Sequence, residues 1–399
     1  MHHVATADHN AGAPLASRRL FRIMPATRVA APHARHSLPN EMRYQTGNAL
    51  TEPDNIVAET AERIFADLAD AQTINHDKSG AWKAPLWQAL TESGLPLSWV
   101  PEECDGSGTS MAEGFSVLGV AGRAGVSVPL AETMLAGWLL TQGKIKSPEG
   151  MMTVAPAGPR DRLTLNADGT ISGRARAIPF AKEAKHIAVI AGGSIALVDA
   201  GACKIDAGLS LAGDHSDTVH FDKVKPVATA KAPDGVDEKA LLLMGALARS
   251  LQIAGALESM LGISVQYSGE RVAFEKKISK FQAVQHNLAK LAGETSASLA
   301  AASSAADAFS HGAPIDDALF LEAAAAKIRC SEAAEKGAAI AHQVHGAIGF
   351  TQEHILHRYT LRALAWRDDF GSESYWAVEL GRLVAKRGAD ELWPLVASR

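Results

Sequence analysis

Arg271-Val-Ala-Phe-Glu-Lys-Lys-Ile-Ser-Lys-Phe-Gln282 is the stretch on which the fold turns. It gathers Arg271, Lys276, Lys277 and Lys280 in one short connection and interleaves Phe274, Ile278 and Phe281 between the charges. Apolar periodic runs stand on either side, predicting helices over 239–268 and 281–309, with a third over 317–345 after the Gly312-Ala-Pro314 break. Helices of that length joined by short connections pack antiparallel as a bundle. Arg271 has the planar fork suited to a phosphate, and Ser279 is placed to cap the following helix. A solvated basic turn with three apolar anchors accounts for the same residues.

A second stretch, Ala341-His-Gln-Val-His-Gly-Ala-Ile-Gly-Phe-Thr351, ends the third run. Gly346 and Gly349 would let backbone approach a flat or phosphorylated ligand one turn beyond Gln343. An ordinary glycine stop reads equally well there. His342 and His345 have no carboxylate or cysteine at metal-ligand spacing, so no metal site is expected.

Upstream the period changes. Leu163-Thr-Leu165, the Asp168-Gly169 turn and Thr170-Ile-Ser172 read as a hairpin. Ile187–Ile190 and Ile195–Val198 flank a second turn at Ala191-Gly-Gly-Ser194, and Thr218–Phe221 is another strand. Before this small β region, helical spacing returns through Ile56, Val57, Ile64, Phe65 and Leu68, then Trp87, Leu90 and Leu95. The turn Pro101-Glu-Glu-Cys-Asp-Gly-Ser-Gly108 leads into a helix over Met111–Gly122. No strand precedes this turn and no Gly-Lys-Ser/Thr follows, so it reads as a plain loop. The fold class is α+β, mainly α. Its expected parts are a disordered leader (1–48), a helical N-terminal domain (49–147), a β middle domain (148–236) and a C-terminal helical bundle (237–399).

Composition narrows the function. The 399 residues are 47% hydrophobic and 21% charged, a globular balance. A formal charge of -5 and only 6% aromatics give no reason to expect nucleic acid as partner. Cys104, Cys203 and Cys330 stand far apart with no C-x-x-C pair, which fits buried thiols in a reducing compartment. The most apolar stretch, Leu241–Ile263, is interrupted by Arg249 and Glu258, so no membrane span is expected. The first forty residues carry Arg18, Arg19, Arg22, Arg28 and Arg35 against Asp8 alone. They read as a disordered extension, as upstream sequence before Met42, or as an organelle leader. Bacterial-type cytoplasmic residence is the expectation.

Taken together, the motifs resemble the acyl-CoA dehydrogenase family. The 271–282 stretch is similar to its R-x-x-F-x-x-x-I-x-x-F-Q signature and the 341–351 stretch to its Q-x-x-G-G-x-G-F segment. Pro101–Gly108 is similar to its P-E-E-x-G-G-x-G turn, and Thr218-Val-His-Phe-Asp-Lys-Val-Lys-Pro226 to the exit of its middle domain. The likeness runs in order from about 50 to 390. It implies a helical N-terminal domain, a small β-barrel middle domain and a C-terminal four-helix bundle. It further implies FAD between the middle and C-terminal domains and across a subunit interface. Arg271 would pair with the pyrophosphate, and Phe274, Phe281 and Gln282 would line the cofactor groove. Gln343, Gly346 and Gly349 would approach the adenosine end of a FAD held by a neighbouring subunit. The implied reaction is α,β-desaturation of an acyl-CoA thioester, with an electron-transfer flavoprotein as acceptor and a homo- or hetero-oligomer, a tetramer, as the assembly.

The departures bear on catalysis. Where the family carries a glutamate base, Trp366-Arg-Asp-Asp-Phe-Gly-Ser-Glu373 places Phe370, leaving Asp369 as the catalytic candidate and Glu373 as the next carboxylate. The alternative family position for a base, on the first bundle helix, holds Gly245. Thr153-Val-Ala-Pro-Ala-Gly158 and Ile178-Pro-Phe-Ala-Lys182 stand where flavin-ring motifs would be. Three readings follow: a self-sufficient dehydrogenase, a non-catalytic subunit completing the FAD site of a heteromeric enzyme, or another flavin oxidation on the same fold.

Overall fold

The computed structural model describes residues 55–77, 79–311 and 315–397. The leader and the Gly312-Ala-Pro314 break lie outside the described residues. The helix α6 (Glu238–Glu270) runs through the centre. Its N-terminus is capped by Asp237, whose carboxylate accepts from Ala240 N at 2.8 Å. From Ala240 to Leu257 every residue is buried. A helix apolar on all faces must be surrounded on all faces. Here α4 (Met111–Ala124), α7 (Gln282–Ser310), α8 (Asp317–His345) and α9 (Leu356–Asp368) do so. By length and hydropathy α6 could cross a bilayer, yet its most apolar window is entirely enclosed by the fold.

The three expected long helices form within a residue or two of their predicted bounds. Asp316 caps α8 by accepting from Leu319 N at 2.9 Å. Ser279 does not cap α7: that helix begins at Gln282 with no side-chain cap, and Ser279 sits in a preceding 3-10 turn. The N-terminal helices are α1 (Ile56–Leu68), α2 (Ala71–His76), α3 (Lys83–Glu92) and α5 (Leu130–Gln142); α1 packs on α3 and on α4, which starts at a reciprocal cap between Ser110 and Glu113.

Between the helical regions lie two sheets rather than the closed barrel expected. The strands β1 (Met152–Ala155), β4 (His186–Ala191), β5 (Ser194–Asp199) and β8 (Ala228–Lys231) form one, ordered β1-β4-β5-β8 with β1 and β4 parallel. The other is antiparallel, ordered β2-β3-β7-β6 from β2 (Arg162–Leu165), β3 (Ile171–Pro179), β7 (Ser216–Val224) and β6 (Lys204–Asp206). β1 packs on β3 and β2 on β4, so the two inner faces share one core. Two register shifts in β3 and the shortness of the outer strands leave the sheets without a hydrogen-bonded seam. Both predicted hairpins are present, as β2–β3 and β4–β5.

Where the sheets meet the helices, Asp217 organises the edge. Fully buried, it accepts from Lys182 N at 2.8 Å and Gly208 N at 3.0 Å. A second carboxylate, Asp214, accepts two bonds at 3.0 Å from Arg362 of α9 and one from Ser127. Burial works against the Asp214 charge, but Arg362 outweighs it and holds that carboxyl below its ordinary range. The turn from Leu209 to His215 is thus strapped against α9.

Candidate functional site

The predicted site residues separate into three places. Arg271 ends α6, and the chain turns through a tight hairpin, β9 (Val272–Ala273) and β10 (Lys276–Lys277), before α7. Phe274 at its tip is 89% exposed, and both it and Glu275 adopt positive φ. Phe274 meets Phe281 edge to face at 6.3 Å, and the Lys276 ammonium stands 4.3 Å over the Phe281 ring. Arg271 and Gln282 flank them, and both are exposed. This is a cationic, aromatic knuckle facing outward.

Gln343 and Gly346 lie on a different surface. The end of α8, the 3-10 turn Gly346–Phe350 and the face of α9 enclose a groove of about 750 Å³. Gly346 has φ +65° and ψ -146°, a conformation glycine tolerates, and nothing stands within 4 Å of where a β-carbon would be. Gly349 lies beneath the floor, packed on His345, His342 and Leu356. The two places are joined through Tyr267, one turn before Arg271, whose ring stacks on His345 at 4.4 Å and whose hydroxyl donates to His345 O at 3.3 Å.

Asp369 stands in the third place, inside the protein. Arg249, 2% exposed, donates from Nε to Asp369 Oδ2 at 2.9 Å, from Nη1 to Gln252 at 2.6 Å and from Nη2 to Glu132 of α5. Burial pushes the Glu132 carboxyl up and outweighs the guanidinium, a cation it shares with Asp369. Burial also opposes the Arg249 charge, but the Glu132 and Asp369 carboxylates outweigh it and keep the guanidinium protonated. Lys327 of α8 lies nearby with no exposed surface and donates to Trp366 O at 2.7 Å. Burial pulls its ammonium down to about 7. Of the other carboxylates, Glu373 accepts from Arg367 at 3.0 Å, and Glu258 of α6 pairs with Arg123 at 3.1 Å.

Phe370 follows Asp369 with φ +55° and is 1% exposed. Its ring covers Gly245 of α6: a β-carbon there would sit 2.3 Å from Phe370 Cδ1. The two positions at which a base was sought therefore face each other across space, and an aromatic ring pressed on a glycine fills that space. Beside them Phe180, Ser210 and Ser216 face Arg249, Trp366 and Asp369 across a cavity of about 10 Å³, room for about one water. A three-ring flavin does not fit there, whereas the groove beside Gln343 has the volume for a nucleotide moiety. No cluster of three metal-ligating side chains occurs among the described residues.

Sequence reasoning missed Glu132 and Lys327. Arg249 left a signal, as a lone cation interrupting the most apolar run of the chain. A buried charge must find partners, but the sequence does not say which.

Comparison with known proteins bears on the whole arrangement. The family profile described as "Acyl-CoA dehydrogenase, C-terminal domain" matches residues 236–373. "Acyl-CoA dehydrogenase IpdE2" of Mycobacterium tuberculosis is 29% identical over 341 residues, covering 85% of this chain and 94% of that protein. Among solved structures, the ChsE4-ChsE5 complex from Mycobacterium tuberculosis superposes with a TM-score of 0.76 at 21% identity, over 85% of this chain and 100% of the other. A chain of the Tcur3481-Tcur3483 steroid ACAD (G363A variant) gives 0.72 at 24% identity, over 86% and 99%. With the profile on the bundle, a relative spanning all three regions and the same fold among solved structures, the chain is similar to acyl-CoA dehydrogenases along its helical, sheet and bundle regions.

Proposed function

We propose that this chain is one subunit of a heteromeric FAD-dependent acyl-CoA dehydrogenase, and that the carboxylate base for α,β-desaturation comes from its partner subunit. The observation that carries this reading is the contact of Phe370 with Gly245, which removes both places for a base. Asp369, the remaining candidate, is half-buried and held in an ion pair by the buried Arg249. A carboxylate whose oxygen is engaged by a guanidinium is badly placed to accept a proton from a substrate carbon. The 10 Å³ cavity beside Asp369 likewise has no room for a flavin ring. The open groove at Gln343 and Gly346 and the cationic knuckle at Arg271 are the surfaces offered to a FAD whose ring lies in the partner. FAD supplies hydride acceptance in such an enzyme. This chain's part is to bind and enclose the cofactor, with an electron-transfer flavoprotein as the acceptor beyond it.

The test is the visible spectrum of the chain purified alone and after co-expression with candidate dehydrogenase partners, at pH 8. Anaerobic acyl-CoA thioesters are then added, beginning with steroid side-chain thioesters because one solved relative is named a steroid ACAD. The isolated chain should carry little flavin, while the complex should be yellow and bleach. Asp369→Asn in this chain should leave that bleaching in place. Stoichiometric flavin that bleaches in the isolated chain would refute the proposal.

A further inference from the structure

The outer face of the antiparallel sheet carries a row of basic side chains. Strand register sets Arg162 of β2 opposite Arg174 of β3, Arg174 opposite His220 of β7, and His220 opposite Lys204 of β6. One rung of the sheet therefore reads Arg-Arg-His-Lys from edge to edge. The next residues along these strands, among them Leu163, Ala175, Val219 and Phe221, are buried in the shared core, so strand alternation turns the four basic positions outward. Arg162, Arg174 and Lys204 are exposed and His220 is half-buried. With about 4.8 Å between neighbouring strands, the row is about 14 Å long.

Like charges placed directly opposite one another on a sheet are destabilising. The chain does little to offset them here. Asp206 bonds His220 Nε2 at 2.8 Å and pairs with Lys204 at 3.5 Å, which serves the β6 end of the row. Arg162 donates from Nη1 to two backbone carbonyls, Pro159 O at 2.9 Å and Asp161 O at 2.7 Å. The Asp161 carboxylate itself is taken by Arg176, whose Nε donates to it at 2.9 Å. Arg174 stands between Arg162 and His220 and makes no hydrogen bond or ion pair among the described residues. A guanidinium thus occupies the middle of a row that repels it and meets no acceptor from its own chain. In a protein of formal charge -5 this is a local reversal of sign.

The form of the face restricts what would satisfy it. Among the described residues of these four strands no Phe, Tyr or Trp faces outward, since Phe221 is buried, so a nucleobase would find no ring to stack on. A polypeptide fits the spacing. Carboxylates at i, i+3, i+7 and i+10 share one face of an α-helix and cover about 15 Å at about 1.5 Å per residue, close to the length of the row. The planar fork of an arginine takes such a carboxylate through two parallel bonds.

We propose that this rung is a docking face for an acidic helix of another protein, laid across the strands so that its carboxylates pair in turn with Arg162, Arg174 and Lys204. The proposal goes beyond the subunit reading and does not depend on it, because none of these residues belongs to the hairpin after Arg271 or lines the groove at Gln343. Exposed pairs each contribute little, so the row governs choice of partner and rate of encounter more than affinity, and salt screens it.

The probe is a synthetic alanine-based helix with glutamate at i, i+3, i+7 and i+10 and a fluorescent label, compared with the same helix carrying glutamine and with a single-stranded oligonucleotide of equal charge. Binding to the full chain is followed by anisotropy at low salt, with circular dichroism to confirm that each variant is folded. The glutamate helix should bind and the glutamine helix should not. Arg162→Gln and Arg174→Gln should each weaken binding by about twofold to fivefold. Lys290→Gln, which removes the same charge from an exposed position on α7, should leave binding unchanged. The thermal midpoint of Arg174→Gln should equal or exceed that of wild type, since only repulsion is lost. Equal binding of the two helices, a Lys290→Gln effect as large as that of the arginine variants, or an oligonucleotide held at this rung more tightly than the helix would overturn the proposal. Flavin content enters none of these readings, so the subunit assignment stands or falls on its own.

Discussion

Replacing Lys327 by methionine should stabilise the protein near neutral pH and remove a slope from its pH–stability profile. The ammonium is fully buried, donates to the Trp366 carbonyl at 2.7 Å, and titrates at about 7 against an ordinary value of 10.5. The sign is set by where the proton goes. Above 10.5 neither folded nor unfolded chain carries it, and the group costs nothing. As pH falls from 10.5 to 7 the unfolded chain takes up the proton and the folded one does not, so stability is lost across that window. Below 7 both are charged and the loss is constant. A shift of this size corresponds to about 4–5 kcal/mol as an upper bound. Methionine leaves the Trp366 carbonyl without its donor, which costs about 1–3 kcal/mol. The net expectation is a gain of about 1–3 kcal/mol at about pH 7.5, shrinking and then reversing as pH approaches about 10. Urea midpoints of wild type and variant, measured side by side at half-unit steps, read the difference and cancel shared titrations. A variant that is less stable by the same amount at every pH would show that the lysine is a satisfied cation, and the reasoning would fail.

Other outcomes follow from the same contacts. Gly245→Ala should destabilise by about 1–3 kcal/mol or more, because its methyl would overlap the Phe370 ring, and a second change, Phe370→Ala, should restore part of the loss; thermal midpoints of the single and double variants test the coupling. Asp214→Ala leaves Arg362 buried without its partner, at a cost of about 3–5 kcal/mol, and should make the Ser210–Gly213 turn an early site of limited proteolysis. Arg271→Ala, at an exposed position, should lower the flavin content of the co-expressed complex without changing the thermal midpoint of this chain. Unchanged flavin would remove the knuckle from the cofactor surface.

The architecture was largely legible because periodicity is a local property. The long helices reveal themselves by spacing, and the hairpin at the Asp168-Gly169 turn forms as read, since a tight turn and its flanking strands are set by neighbouring residues. Strand closure is not local, and nothing in Met152–Ala155 announces a parallel pairing with His186–Ala191 or the failure of the two sheets to join. The site was legible in pieces. Motif spacing offered Arg271, Gln343 and Gly346 as candidates but did not show that they occupy separate surfaces. It also offered Asp369 as a base, since a sequence shows a carboxylate and not the arginine 120 residues away that binds it. That Phe370 and Gly245 touch could be learned only from packing, although each stands where a carboxylate was expected.

The buried cluster of Glu132, Arg249 and Asp369 has a consequence for the order in which the chain assembles. Its two ion pairs join residues 117 and 120 positions apart, while the sheets between α5 and α6 contain two hairpins closed over a few residues. Closing long loops costs entropy before any contact repays it, so the hairpins should form early and the cluster late. Until both carboxylates arrive, Arg249 has reason to stay wet, and its helix cannot dock at full depth. The arginine should thereby act as a checkpoint on folding, letting the central helix dock once the segments carrying Glu132 and Asp369 are in place.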